Sequence, residues 1–212
     1  MKTYLFDFDG TLVDSMPTFA DVHLKFLDAH GVNYPDDVIK TLTPLGGQKG
    51  AEYLISLGVK LTIPEIHEEI RLMLVEAYTY KIEAKANVIE TLKKLKERGD
   101  DLNVLTASPH TSLDPCLKRL GIYDIFSNVW SCDSDFGMPK TDPEIYKVAA
   151  QRMGVSVEDV IFIDDNLYAD LAGKASGATV YGIYDDSSAE FVQEIKDATD
   201  RYIYDFAELL QD

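Results

Sequence analysis

Apolar positions fall into two rhythms along this chain. Lys2-Thr3-Tyr4-Leu5-Phe6 opens it with a short run that reads as a buried strand. Phe19, Val22, His23, Phe26 and Leu27 then recur at i, i+3, i+4, i+7 and i+8, one face of a helix that Gly31 is placed to end. A second helix is predicted after Gly46-Gly47, through Ala51, Leu54, Ile55 and Leu57 to Gly58. Thr62-Ile63-Pro64-Glu65 has the form of a capping box, and Ile66, Ile70, Met73, Leu74 and Ala77 follow as another stripe. The stretch from about 15 to about 80 is thus expected to be wholly helical.

From about Ala86 helices and strands alternate. Val88, Leu92 and Leu95 mark a helix ending near Gly99, and Leu102-Asn103-Val104-Leu105 a buried strand. A helix from Leu113 to Leu120 stops at Gly121, and Asn128-Val129-Trp130-Ser131 reads as a short strand. Asp142-Pro143 looks like an N-cap with proline in the first turn, opening a helix through Ile145, Val148 and Ala149 to Gly154. Val160-Ile161-Phe162-Ile163 is a buried strand, Leu167 to Ser176 a helix and Thr179-Val180-Tyr181 a strand. Helical patterns finish the chain. Such alternation predicts an α/β fold, a parallel sheet with helices on both faces. The first strand must join that sheet, so the helical block is an insertion.

Composition adds bounds. With 46% hydrophobic and 27% charged residues the chain is of globular type. A net charge of -17 repels nucleic acid and anionic lipid, so neither is an expected partner. An anionic substrate would need a local cationic pocket. Cys116 and Cys132 lack metal-ligand spacing and are expected to be free thiols. The opening apolar run is broken at Asp7, which is not a signal-peptide pattern, and no segment is long enough to span a bilayer. A cytoplasmic protein is the expectation.

Ligands of open parallel sheets bind at the carboxyl ends of the strands. Those ends carry Asp7 and Asp9, then Thr106-Ala107-Ser108, then a loop with Asp133 and Asp135 leading to Lys140, then Asp164-Asp165-Asn166. Asp7 and Asp9 share a face if the extended conformation persists, and two like charges so close call for a cation between them. These are the parts for holding a metal and a phosphate. One carboxylate would then attack phosphorus while the other moves a proton, and a Mg²⁺ held by these carboxylates would supply charge neutralisation. Lys140 offsets negative charge, and the Thr106 hydroxyl with backbone N–H groups near Ala107 and Gly10 binds phosphate oxygens.

Asp-Phe-Asp-Gly-Thr-Leu-Val-Asp-Ser at 7–15 resembles the first motif of the haloacid dehalogenase-like hydrolase superfamily. Thr106 fits its second motif, Lys140 with Asp142-Pro143-Glu144-Ile145-Tyr146 its third, and Phe162-Ile163-Asp164-Asp165-Asn166 its fourth. The insertion is similar to the small helical cap of the branch holding phosphoglycolate phosphatases and β-phosphoglucomutases. The resemblance implies a Rossmann-like core at 1–14 and 82–212 and a cap at 15–81. It implies Asp7 as nucleophile and Asp9 as general acid/base. The metal ligands it implies are Asp7, the Asp9 carbonyl and Asp165, with Asp164 in or near the outer shell. Two departures stand out: Lys140-Thr141 replaces Lys-Pro, and Ala169 sits where many members carry an aspartate, with Asp170 one place later.

The expected protein is a Mg²⁺-dependent phosphatase of a small phosphorylated metabolite, a monomer or weak homodimer. A phosphosugar mutase is the alternative, and an inactive binding module the alternative of another class. Dehalogenation needs neither the metal cluster nor Asp9. Gly46, Gly47, Gln48 and Lys49 are read as a glycine-led loop of the insertion that either links helices or touches substrate. His23, His30, His67 and His110 are expected to pack or face solvent.

Overall fold

The structure is a computed structural model that describes residues 1–211, with the side chains at positions 44 and 46 outside the described set. Strand β1 (Thr3–Phe6) is apolar on both faces and fully covered. Tyr4 and Phe6 stack on one face, ring centroids 5.6 Å apart, and Phe6 continues to Phe206. Leu5 joins the opposite cluster with Leu105, Phe162 and Val180. A strand of this kind belongs inside a covered parallel sheet. There β1 pairs with β2 (Asp101–Thr106) on one side and β4 (Val160–Asp164) on the other. With β3 (Asn128–Ser131), β5 (Thr179–Ile183) and β6 (Arg201–Ile203), the order is β3-β2-β1-β4-β5-β6, all parallel. This is the doubly wound order, and its crevice opens where the winding reverses, between β1 and β4.

The chain divides into two compact units, residues 1–14 with 82–212, and residues 15–81. The second unit is helical: α1 (Met16–Ala29), α2 (Val38–Leu42), α3 (Gly46–Leu57) and α4 (Ile63–Tyr80). Phe26, Leu27, Leu54 and Ile66 are fully or almost fully buried in its core. At the start of α4 the Thr62 N–H donates to Glu65 Oε2 at 2.8 Å, completing the capping box. Such a cap stabilises a helix by about 1 kcal/mol.

The sheet is crossed by α5 (Val88–Glu97), α6 (His110–Arg119), α7 (Glu144–Met153), α8 (Leu167–Ser176) and α9 (Val192–Ala198). Helix α8 lies very close to β4 and β5. A Cβ at Gly173 would lie 3.0 Å from the Phe162 and Val180 side chains, so any larger residue would press on both strands.

Three expectations change. Residues 201–203 form edge strand β6 rather than more helix, and β6 is too short and half-exposed to leave an apolar signature. Positions 47–49 are not a loop: Gly47, Gln48 and Lys49 lie in the first turn of α3. Gly46 begins that helix, and beyond its backbone it lies outside the described residues. Helix α7 starts after Pro143, yet Asp142 still serves its N-terminus, Oδ1 accepting from the Glu144 N–H at 3.0 Å. No described helix is long and apolar enough to cross a membrane. Cys116 and Cys132 are buried free thiols.

Candidate active site

The two central strands bring the first carboxylates together. Phe6 is in register with Ile163, and the Asp7 N–H donates to the Ile163 carbonyl at 2.9 Å. Asp7 therefore leaves β1 beside Asp164, the last residue of β4. Asp165 follows at once. Asn166 caps α8, its Oδ1 accepting from the Tyr168 and Ala169 N–H groups at 3.0 and 3.3 Å. Capping falls to the asparagine, so neither aspartate is consumed by it. Asp7, Asp164 and Asp165 are all buried and offer oxygens within 4.8 Å of one another.

Beyond Asp7 the extended conformation does not persist. Leu12 and Val13 both donate N–H groups to the Phe8 carbonyl, so the chain turns back through Gly10. Gly10 has φ +75°, and a Cβ there would lie 2.5 Å from Asp165 Oδ2. Only glycine both adopts this backbone and leaves Asp165 its place. The next residue, buried Thr11, donates its hydroxyl to Asp165 Oδ1 at 3.1 Å. The turn thus carries Asp9 and braces a carboxylate from the far end of the chain.

Lys140 supplies the positive charge. Its Nζ lies 2.7 Å from Asp164 Oδ2, to which it donates, and 2.5 Å from Asp7 Oδ1 in an ion pair without hydrogen-bond alignment. Asp164 Oδ1 accepts from the Asn166 N–H, so both Asp164 oxygens are engaged. Asp7 Oδ1 is buried with no hydrogen-bond donor. Burial, then the Asp164 charge, hold the Asp7 carboxyl well above the carboxylate range against the pull of Lys140. Burial and Asp164 push Asp165 up to about 7. Burial alone would depress the Lys140 ammonium, but Asp164 and Asp7 hold it above its ordinary value.

The remaining residues fall around this cluster. Asp9 is partly exposed and outside the three-carboxylate group; Ser108 Oγ donates to its Oδ2 at 2.5 Å. Thr106 ends β2 buried, its Oγ1 accepting from the Ser108 N–H at 3.1 Å, which leaves its own proton to donate. Ala107 is exposed. Asp133 is exposed, and Asp135 Oδ2 accepts from the Ser131 N–H and from His110, so neither joins the carboxylate group. Gln48 bonds Glu52, and the Gly47 carbonyl accepts from His67 at 2.9 Å. Lys49 is exposed.

Four residues carry roles that the sequence reading did not assign. His110 is neither packed nor idle: it faces Asp114 and Asp135, both at 2.8 Å, tying α6 to the segment after β3. The Tyr146 hydroxyl faces the Lys140 and Ala169 carbonyls at 2.8 and 3.1 Å, steadying the lysine. Asp170 is buried with both oxygens unpartnered, and burial with the nearby Asp164 charge pushes it up to about 10. Lys85 donates to the Gly10 carbonyl at 2.6 Å. Tyr146 stands in the third motif, Asp170 one place past the usual fourth-motif aspartate and Asp114 four residues after His110, all visible in the sequence; the His110–Asp135 and Lys85 contacts span the chain, and no local pattern announces them.

The donor set fits a hard divalent cation. Three buried carboxylates bring oxygens to metal-site spacing, and one lysine among them leaves negative charge in excess. Asp7 and Asp165 would hold the ion, while Asp164 is already committed to Lys140 and the Asn166 N–H.

With that geometry in view, the likeness to known proteins is extensive. The sequence profile of the haloacid dehalogenase-like hydrolases matches residues 1–177. Pyrophosphatase PpaX of Bacillus velezensis is 31% identical over 189 residues, 84% of this chain and 81% of its own. Phosphoglycolate phosphatase of Haemophilus influenzae is 28% identical over 219 residues, 97% of this chain and 95% of its own. Among solved structures, a candidate β-phosphoglucomutase of Thermotoga maritima superposes with a TM-score of 0.84. It covers 100% of this chain and 97% of its own at 21% identity, a likeness that bears on fold alone. The chain belongs to the haloacid dehalogenase-like hydrolase family.

Proposed function

We propose that this chain is a Mg²⁺-dependent phosphatase of a small phosphorylated metabolite, working through an aspartyl-phosphate on Asp7. The observation that carries the reading is the buried Asp7–Asp164–Asp165 cluster, with Lys140 Nζ 2.5 Å from Asp7 Oδ1. A carboxylate needs no base to act as a nucleophile, and Asp7 sits where a cation neutralises it. When bound by Asp7, Asp165 and the Asp9 carbonyl, Mg²⁺ supplies charge neutralisation at the phosphoryl group.

An Asp7 oxygen bonds to phosphorus as the ester oxygen leaves. Asp9 gives its proton to that leaving oxygen, then takes one from the water that cleaves the acyl phosphate. Ser108 holds Asp9 in place for both transfers. Lys140 balances charge on Asp7, and the Thr106 hydroxyl donates to a phosphoryl oxygen. In this reading the inserted helical unit, residues 15–81, is the cap that selects substrate, with Gly47, Gln48 and Lys49 at the head of α3 candidates to share in it. A cytoplasmic location suits such a metabolite.

Hydrolysis of an aryl phosphate, measured with Mg²⁺ and with EDTA, tests the reading directly. Mg²⁺-dependent phosphate release supports it; no release with any of a panel of sugar and carboxylic-acid phosphates rejects it. Ala169, in place of the aspartate many members carry, favours a phosphosugar mutase as second reading. That reading predicts conversion of a hexose 1-phosphate to the 6-phosphate with a bisphosphate primer, and release of phosphate alone would exclude it.

A further inference from the structure

Lys85 stands just inside the second unit boundary, where the chain has returned to the sheet-bearing unit. Its backbone is locked to the first motif. The Lys85 N–H donates to the Leu12 carbonyl at 3.1 Å, Asp14 N–H donates to the Glu83 carbonyl at 3.0 Å, and Val13 and Ala84 form an antiparallel bridge. Its side chain runs to three acceptors: the Gly10 carbonyl at 2.6 Å, the Tyr184 carbonyl at 2.7 Å and Asp185 Oδ2 at 2.9 Å. An ammonium has three protons, and here each has an oxygen. Asp185 is itself buried and fixed from the other side, its Oδ1 accepting from the Ser187 N–H and hydroxyl at 3.0 and 2.6 Å.

The point held is a constrained one, Gly10 at φ +75°. The Gly10 N–H is bonded to the Val13 carbonyl, so Lys85 fixes the remaining polar group of that residue. The Asp165 carboxylate occupies the space a Cβ on Gly10 would fill, Thr11 braces it, and Asp9 precedes them both. Without the ammonium, the Gly10 carbonyl loses the side-chain donor that fixes the peptide between Gly10 and Thr11, the segment on which the seat of Asp165 depends.

We propose that Lys85, oriented by Asp185, is a positioning residue of the reaction site: it fixes the Gly10–Thr11 turn and so places Asp9 and the metal-binding carboxylate of Asp165. The inference rests on the site assigned under Proposed function. It predicts a role felt in turnover and metal affinity rather than in substrate capture.

The test compares wild type, Lys85→Met and Asp185→Asn for aryl phosphate hydrolysis, Mg²⁺ affinity by calorimetry and melting temperature. For Lys85→Met, kcat should fall roughly 10- to 100-fold, with KM changed by less than about threefold, because misplacing a reacting group costs turnover first. The Mg²⁺ dissociation constant should rise about tenfold through the disturbed Asp165. Asp185→Asn leaves Lys85 its two carbonyls and should fall between. A lower melting temperature with kcat and Mg²⁺ affinity both at wild-type values would make Lys85 a structural clamp and overturn the proposal. If Lys85→Met does not fold, Asp185→Asn decides by the same criteria. Wild type without phosphatase activity would instead defeat the parent reading, while calorimetry would still decide whether Lys85 places Asp165.

Discussion

The two units bury different things. Among the described residues of the helical unit, the buried polar side chains are Ser15 and His23, and the rest of its core is apolar. The sheet-bearing unit buries Asp7, Asp100, Asp164, Asp165, Asp170 and Asp185. Burying one carboxylate costs far more than burying a leucine gains. Three of these acids gather at the switch point of the sheet, two of them, Asp7 and Asp164, ion-paired with Lys140, and in the proposed function that cost serves chemistry. The helical unit is put together for stability, whereas the strand ends give up stability to hold charge.

Replacing a key residue in each unit should therefore have opposite consequences. Asp7→Asn should abolish aryl phosphate turnover, a loss of at least about 10³-fold, since the amide is not a nucleophile. It should also raise the melting temperature of the metal-free protein, because the amide has no ionisation for burial to penalise, whereas burial and Asp164 hold the Asp7 carboxyl well above the carboxylate range. Leu54→Ala, in the helical core, should cost about 2–5 kcal/mol through lost burial and a cavity. Retained turnover in Asp7→Asn would sink the nucleophile assignment. Its destabilisation to the same degree as Leu54→Ala would erase the contrast between the units.

Lys140→Met probes the cluster from its cationic side. It should lower kcat by about 10²-fold by removing the charge that balances Asp7. Chelated protein should lose melting temperature too, though less than the about 3–5 kcal/mol typical of breaking a buried pair, because Asp7 and Asp165 take up protons instead. Mg²⁺ should restore part of the lost stability. A variant as active as wild type would remove Lys140 from the site.

The same charges set a pH dependence. Asp165 ionises near the usual 3.8 when unfolded but holds its proton to about 7 when folded, and Asp7 is raised in the same sense. Between those values the folded state binds more protons, so stability falls as pH rises, and for Asp165 the loss is complete above about 7. For Asp165 alone the drop is at most about 4 kcal/mol. In EDTA the melting temperature should fall between pH 4.5 and 7.5, and Asp165→Asn should flatten the slope. Mg²⁺, which needs the ionised carboxylates, should stabilise more at pH 8 than at pH 5. A slope identical in wild type and Asp165→Asn would place the titration elsewhere.

How much of this was legible depends on whether the signal was local. β1 and β4 are apolar on both faces, and only a covered parallel sheet accepts such strands, so the fold class could be read from the chain, while the family resemblance rested on the motif residues at 7–15, 106, 140–146 and 162–166. Three-residue β6 pairs on one edge and mixes Arg201 and Tyr202 with one buried isoleucine, which leaves no periodicity to find. Gly46-Gly47 reads as a break, yet α3 begins there, since a helix start tolerates glycine better than its interior does. The carboxylates stood at legible strand ends. What could not be read is which acid answers to which partner: Asp165 leans on Gly10 and Thr11 across 154 positions, and Lys85 reaches Asp185 across 100.

The smallest expected effect marks the boundary between local and tertiary causes. Thr62→Ala removes one hydroxyl from an exposed capping box whose partner, Glu65, lies three residues away. Hydrogen bonds from Thr62 also hold the Glu65 carboxylate below its ordinary value. The loss should be about 1 kcal/mol, or roughly 2–4 °C in melting temperature, with kcat and Mg²⁺ affinity unchanged. Because the contact is local and solvent-facing, a shift much larger than this would mean that the start of α4 is coupled to the rest of the helical core. A change in Mg²⁺ affinity would carry that coupling as far as the strand ends and dissolve the separation of the two units by what they bury.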